Sequence, residues 1–114
     1  MSECIFCKIR DGRIPAKVVL RDELCMALED IHPQAPTHLL VIPLQHIPTV
    51  NDLTANEREV VGHLYLTAAT LARQRGIADS GYRLVMNTHR DAGQTVFHIH
   101  LHVLGGRPME WPPG

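Results

Sequence analysis

The chain carries no excess of either charge. Eleven Lys and Arg stand against twelve Asp and Glu, a formal net charge of −1 with neutral histidines. It therefore lacks the basic footprint that nucleic-acid binding requires, and no nucleic-acid partner is expected. No apolar run approaches the length needed to span a bilayer, so no membrane partner is expected either. Met1 to Pro15 carries Glu3, Asp11 and two cysteines but no apolar h-region, which predicts no secretory leader and a cytoplasmic location. Cysteine is sparse and odd in number; three residues argue against a closed disulfide framework and fit a reducing compartment. Internal repeats and low-complexity segments are absent. With 114 residues, the chain suffices for one domain and is short for two of typical size, so residues 1–114 are read as a single domain. A domain of this length buries roughly 65% of its unfolded surface, and needs neither metal nor disulfide to fold.

Histidine is the compositional outlier, with eight residues in an otherwise ordinary globular composition of 45% hydrophobic and 20% charged residues. Three of the eight fall in Gly93-Gln94-Thr95-Val96-Phe97-His98-Ile99-His100-Leu101-His102-Val103-Leu104-Gly105-Gly106. Strict alternation predicts a half-buried strand, with His98, His100 and His102 on one face and Ile99, Leu101 and Val103 on the other. Histidines two apart on a strand lie roughly 6.5–7 Å from one another at Cα. Each ring needs partners for both nitrogens if buried, so three in register are a costly way to decorate a core. Two chemistries fit: a nucleophile with its acid/base partner acting on phosphorus, or a metal centre built on imidazole.

The rest of the chain supplies a frame. Ile5, Phe6 and Ile9 share one side of a short helix ending near Gly12. Cys4 and Cys7 form a C-x-x-C pair that supplies half of a zinc site or is simply two small buried thiols. Lys17–Arg21 and Leu24–Asp30 read as a hairpin, with Cys25 a packing residue. Asp30 to Thr37 is a proline-punctuated loop suited to the rim of a site, in which Asp30 by itself reads as a cap. His38–Pro43 is apolar enough for a central strand. Thr54-Ala55-Asn56-Glu57 is a capping box for a helix from about Ala55 to Arg75. Its apolar face is Val60, Val61, Leu64, Leu66, Ala68, Leu71 and Ala72, with His63 on the helix surface or against a second copy. Gly81–Asn87 is a fourth strand, followed by a polar loop over Thr88–Ala92. Hairpins without regular βα alternation predict an α+β fold of about five antiparallel strands, one long helix and one short helix. The tail 108–114 is stiff, proline-rich and carries the only Trp, which argues for docking rather than fraying.

These residues resemble one family. His98-x-His100-x-His102 with its aliphatic flanks looks like the histidine-triad (HIT) family. Asp30-Ile31, Pro33-Gln34-Ala35-Pro36-Thr37-His38, Gly93-Gln94, Leu104-Gly105-Gly106-Arg107 and Trp111-Pro112-Pro113-Gly114 look like its Hint branch, the histidine-triad nucleotide-binding proteins. The match covers nearly the whole chain. The resemblance implies an α+β HIT-like fold whose sheets join across a homodimer. It implies hydrolysis of purine nucleoside 5′-phosphoramidates, AMP or GMP conjugates, at the P–N bond through a nucleotidyl-histidine intermediate. His100 matches the nucleophile, and His102 and His38 match the histidines that support it and contact phosphate. Asn87, Gly93, Gln94 and Thr95 match the polar positions that hold phosphate and ribose. Asp30 matches the residue on the ribose hydroxyls, with Ile31 beside it. Ile5, Phe6, Ile9, Ile14, Leu28 and Leu40 match the apolar base pocket, and Trp111 a tail residue that reaches toward the partner's site. Catalysis by this resemblance needs no cofactor.

The chemistry is sound from first principles. Neutral imidazole attacks a negative phosphorus without adding a second negative charge, and a covalent intermediate splits one hard displacement into two. Charge on the non-bridging oxygens needs preorganised donors, for which backbone N–H groups near Gly93 to Thr95, the Thr95 hydroxyl and His102 are expected. Protonation of the departing amine is general-acid work. Two positions depart from the branch: Thr95 stands where Ser is frequent and keeps the hydroxyl, and Leu28 stands where an aromatic is common. The Cys4/Cys7 pair resembles a zinc-bearing subset of HIT proteins, whose remaining ligands match His46 and His98. That implies a structural Cys₂His₂ zinc. The competing readings are a dinucleoside polyphosphate hydrolase or nucleotidyl transferase, a non-catalytic nucleotide-binding regulator, and a zinc hydrolase centred on the three histidines.

Overall fold

A computed structural model describes residues 3–114. The first element is a short helix, α1 (Ile5–Arg10). Its N-cap is Cys4, whose sulfur accepts from the Cys7 N–H at 3.4 Å, and Lys8 and Arg10 sit in its last turn where the dipole favours cations. A hairpin follows: β1 (Val18–Arg21) and β2 (Cys25–Glu29). The Asp22 carboxylate builds its turn by accepting from the N–H groups of Leu24 and Cys25, both at 2.9 Å.

The sheet continues with β3 (Thr37–Pro43), β4 (Tyr82–Val85) and β5 (Leu101–Gly105) in the spatial order β1-β2-β3-β5-β4, every pair antiparallel. β3 is central because six of its seven residues are buried, as the near-continuous apolar run required. Alternation divides the two faces. Cys25, Ala27, Leu39, Val41, Leu101 and Val103 meet the long helix α2 (Arg58–Gln74) through Val60, Leu64, Ala68, Leu71 and Ala72. Met26, Leu28, Leu40 and Ile42 face the other way and meet Phe6 and Ile9 of α1, with Cys4, Leu44 and Val96 around them. One face is thus sealed by seventeen residues of helix and the other by six, and that asymmetry leaves room for a cleft.

Four expectations are corrected in detail. The histidine stretch is extended, but strand pairing begins only at Leu101, so of the three histidines only His102 is in the ladder. The long helix starts with a separate 3-10 turn, Ala55–Glu57, which carries the expected Thr54/Glu57 capping box; α2 proper begins at Arg58. Leu66 is 69% exposed, and Thr67 takes the inward position instead, because the helix period brings 60, 64, 67, 68 and 71 onto one face and leaves 66 off it. The polar loop after β4 contains a third α-helix, α3 (His89–Ala92), so among the described residues there are two short α-helices and one long. His63 lies on the helix surface and pairs with Asp22 at 2.7 Å.

Gly105 gives a test of the packing. A Cβ there would sit 2.5 Å from Ile77 Cδ1 and 3.1 Å from Ile77 Cβ, and the branched Ile77, itself buried, has nowhere to swing. Gly105→Ala should cost about 1–3 kcal/mol. Urea unfolding should show this as a lower midpoint at an unchanged slope.

Candidate active site

The open face of the sheet holds a cleft of about 700 Å³ between α1, the connector after it, the loop after β2 and the segment 93–96. Ile5, Phe6, Ile9, Ile14, Leu28 and Leu40 line its apolar end. Asp30, Ile31, Asn87, Gly93, Thr95, His100 and His102 also line it. Three expected site residues do not line it: His38, Gln94 and Trp111.

His38 stands behind the wall. In the β3–β5 register His38 opposes Leu104 and Leu40 opposes His102, so the two histidines are diagonal neighbours on one face. The main-chain N–H of Gln34 donates to His38 Nδ1 at 3.0 Å. That nitrogen is therefore an acceptor, and the proton of the neutral ring sits on Nε2. His38 Nε2–H in turn donates to His102 Nδ1 at 2.9 Å, with the Asp30 carboxylate 3.4 Å away as a second acceptor. The same logic then puts the His102 proton on Nε2. Burial holds both rings neutral: it lowers His38 from the ordinary histidine value and, with the charges of His100 and His38, takes His102 down to about 4.

His100 is fixed from the other side. Its Nδ1–H donates to the His98 carbonyl at 2.8 Å, an acceptor that has no proton to give. Its Nε2 is therefore left with the lone pair. Burial lowers its pKa as well, and the Phe6 ring meets it edge-on at 5.1 Å. The result is an unprotonated nitrogen on His100 beside a protonated nitrogen on His102, their ring centres 5.1 Å apart.

Gln94 is a buried brace. Its Oε1 accepts from the His89 N–H at 2.8 Å and its Nε2 donates to the carbonyls of Pro48 and Val96. Those bonds hold His89 in the left-handed region at φ 65° and set the segment that presents Gly93 and Thr95. The N–H groups of Gly93 and Gln94 close α3 on the carbonyls of Arg90 and His89, both at 3.0 Å. Two of the expected oxyanion donors, the Gly93 and Gln94 N–H groups, are thus already engaged, and donation falls to the Thr95 N–H and hydroxyl, the Asn87 amide and His102 Nε2–H. Asp30 keeps its local role, accepting from the His32 N–H at 2.8 Å. Trp111 is 82% exposed on a tail held by an Arg83 bond to the Glu110 carbonyl, away from this cleft.

The remaining expected residues meet at one point. Cys4 Sγ lies 3.3 Å from His98 Nδ1, Cys7 Sγ lies 3.3 Å from His46 Nδ1, and the two Nδ1 atoms are 3.2 Å apart. All four ligand atoms fall within 4.8 Å of one another. A tetrahedral zinc requires edges of about 3.3–3.8 Å, given its bond lengths. His98 Nε2–H donates to the Pro43 carbonyl at 2.8 Å, which strips the proton from Nδ1 and leaves a lone pair aimed at the cluster. Burial pulls His98 down to about 4 and keeps it neutral, as a ligand must be. The donor set fits zinc. Because both His98 nitrogens are engaged away from the cleft, the three histidines do not converge on one point, contrary to a zinc hydrolase built on all three.

Sequence reasoning missed the carriers that are main chain: the Gln34 N–H, the His98 carbonyl and the Pro43 carbonyl. No side-chain pattern encodes them. It also missed Val96 and His32 in the lining. Lys17 and Glu29 border the cleft too, but their side chains pair with each other at 3.5 Å.

Fold and site together define a class: a small α+β protein with a single antiparallel sheet, in which a chain of oriented histidines opens onto an apolar cleft. The HIT domain matches residues 11–109, and the chain belongs to that family. It is 53% identical to the purine nucleoside phosphoramidase of Escherichia coli over 108 residues, 95% of this chain and 91% of that one. A crystal structure of a HIT family hydrolase from Legionella pneumophila superposes with a TM-score of 0.96 at 52% identity, covering 98% of this chain and all of that one. A histidine triad protein from Clostridium difficile gives 0.92 at 35% identity, covering 96% of each chain.

Proposed function

We propose that this chain is a purine nucleoside phosphoramidase that cleaves the P–N bond of adenosine or guanosine 5′-phosphoramidates, giving the nucleoside monophosphate and an amine. The observation that carries the reading is the pairing of opposite proton states across the two histidines at the cleft. His100 Nε2 attacks phosphorus, the N–P bond to the ring forms and the P–N bond to the amine breaks. The departing amine takes up one proton from solvent, the proton that the second step gives back. Water then attacks the nucleotidyl-histidine, and that step returns one proton and a neutral His100. His102 Nε2–H donates to a non-bridging oxygen as charge develops there, with Thr95 and Asn87. Ile5, Phe6, Ile9, Ile14, Leu28 and Leu40 hold the flat base, and the Asp30 carboxylate accepts from the ribose hydroxyls beside Ile31. Gly93 shapes the approach to phosphate, and Gln94 acts by bracing that segment.

Catalysis on this reading uses no cofactor. Cys4, Cys7, His46 and His98 would hold a structural zinc, which supplies cross-linking of α1 to the segment before β5. A single domain spans the chain. A homodimer is supported by the edge position of β4 and by Tyr65 and Leu66 exposed on α2, and it would give Trp111 a partner's site to reach. Among the described residues no helix is long and apolar enough to cross a membrane, and the nucleotide substrate proposed here is what supports a cytoplasmic location.

The test is a trap. Protein incubated with adenosine 5′-phosphoramidate and rapidly quenched should carry an adenylyl group, mapped by mass spectrometry to His100, with AMP released on the same time course. Absence of both adduct and AMP would sink the enzyme reading in favour of a nucleotide-binding regulator.

A further inference from the structure

The Gly105-Gly106-Arg107 segment lies outside the lining of the cleft, yet it touches Gln34, the residue whose main-chain N–H sets the protons of His38 and His102. Arg107 Nε donates to the Gln34 carbonyl at 3.0 Å, and its Nη1 donates to the Pro108 carbonyl at 3.0 Å. The neighbouring Gly106, at φ 92°, packs so closely on Pro36 that a Cβ would stand 2.9 Å from Pro36 Cβ. The start of the tail is therefore clamped on the loop that carries Gln34. The N–H of that same Gln34 sets His38, and His38 sets His102.

We propose that Arg107 is a positioning residue for the proton on His102, acting through Gln34 and His38. With the Gln34 carbonyl held, its N–H points at His38 Nδ1 and excludes the tautomer protonated there. Released, the loop between Pro33 and Pro36 lets that N–H turn away. His38 Nδ1 then loses the donor that opposed a proton there, and although the Asp30 carboxylate 3.4 Å from Nε2 still favours the proton on Nε2, the fraction of His38 protonated on Nδ1, with no donor for His102, rises. His102 becomes free to carry its own proton on Nδ1, which removes the donor from the cleft. Arg107 itself is exposed, and a solvated guanidinium–carbonyl bond adds little to folding, so its loss should register at the relay rather than in stability.

The effect on catalysis rests on the phosphoramidase reading, but the tautomer state does not, and the experiment separates them. In protein labelled with ¹⁵N at histidine, long-range proton–nitrogen spectra of the wild type should show a protonated Nε2 and an unprotonated Nδ1 for both His38 and His102. In Arg107→Ala both rings should move to averaged values, and kcat should fall roughly 10- to 100-fold with KM changed less than twofold. Arg107→Lys, which can still donate to a carbonyl, should restore most of both readouts. Should Arg107→Ala fold poorly, Arg107→Met, which keeps the stem and has no donor, carries the same comparison. Wild-type ring signals in the alanine variant overturn the proposal, whether kcat is normal or reduced. Shifted ring signals in a protein whose wild type hydrolyses no phosphoramidate would overturn the function and leave the role of Arg107 intact.

Discussion

His100→Ala is expected to lower kcat for adenosine 5′-phosphoramidate by at least about 10⁴-fold while leaving AMP affinity within a few-fold of wild type. The first part follows from the loss of the attacking atom; removal of a nucleophile typically costs on this order or more. The second follows from the cleft. On the proposed reading the base rests on side chains of α1, the connector after it, β2 and β3, and the ribose on Asp30, and of these Phe6 meets the mutated ring at its edge. A smaller effect is expected at His102, where alanine removes one donor and should cost about 10²- to 10³-fold. Steady-state kinetics and calorimetric titration with AMP read the two quantities independently. If His100→Ala retains even a tenth of wild-type turnover, the nucleophile is another group and the covalent reading is lost.

The sheet was legible because its strands obey simple periods. Alternation set Leu101 and Val103 opposite His102 in β5, the near-continuous apolar run marked β3 as central, and the Thr54/Glu57 box marked the entry to α2 within three residues. The apolar end of the cleft was legible too, though only through resemblance, since nothing in the spacing of Ile14, Leu28 and Leu40 brings them together without the register of β2 on β3. What stayed hidden was the orientation of groups. Alternation alone makes the three histidines equals on one face, yet the main chain gives each ring a different set of partners. His98 faces two thiols and a carbonyl, His100 rests on a carbonyl, and His102 receives a proton from His38. The bonds of Gln94 were hidden for the same reason: its amide accepts from the His89 N–H and donates to the carbonyls of Pro48 and Val96, which no side-chain pattern shows.

Cys7→Ala is expected to abolish stoichiometric zinc, to lower the melting temperature by about 10 °C, and to weaken AMP binding by about tenfold without eliminating hydrolysis. Cys7 is 2% exposed and faces both His46 and His98, so its loss opens the tetrahedral set at its centre. A lost structural metal belongs to the small group of changes that cost several kcal/mol. For a domain near this size, about 2 kcal/mol corresponds to roughly that shift. The binding effect follows from α1. Cys4 and Cys7 cap and anchor the same six-residue helix that carries Ile5, Phe6 and Ile9 into the cleft, and a helix that short has little stability of its own. A partly loosened apolar wall is worth ~1.4 kcal/mol, or tenfold. Chemistry should survive, because the His98 carbonyl that fixes His100 is main chain and the donors to phosphate lie outside the cluster. Elemental analysis, calorimetry and AMP titration should therefore move together in Cys7→Ala, and Cys4→Ser should follow in the same direction. Protein purified without chelator that holds no zinc and melts like Cys7→Ala would refute the metal centre. Turnover that vanishes in folded metal-free protein and returns with zinc would instead put the ion in the chemistry.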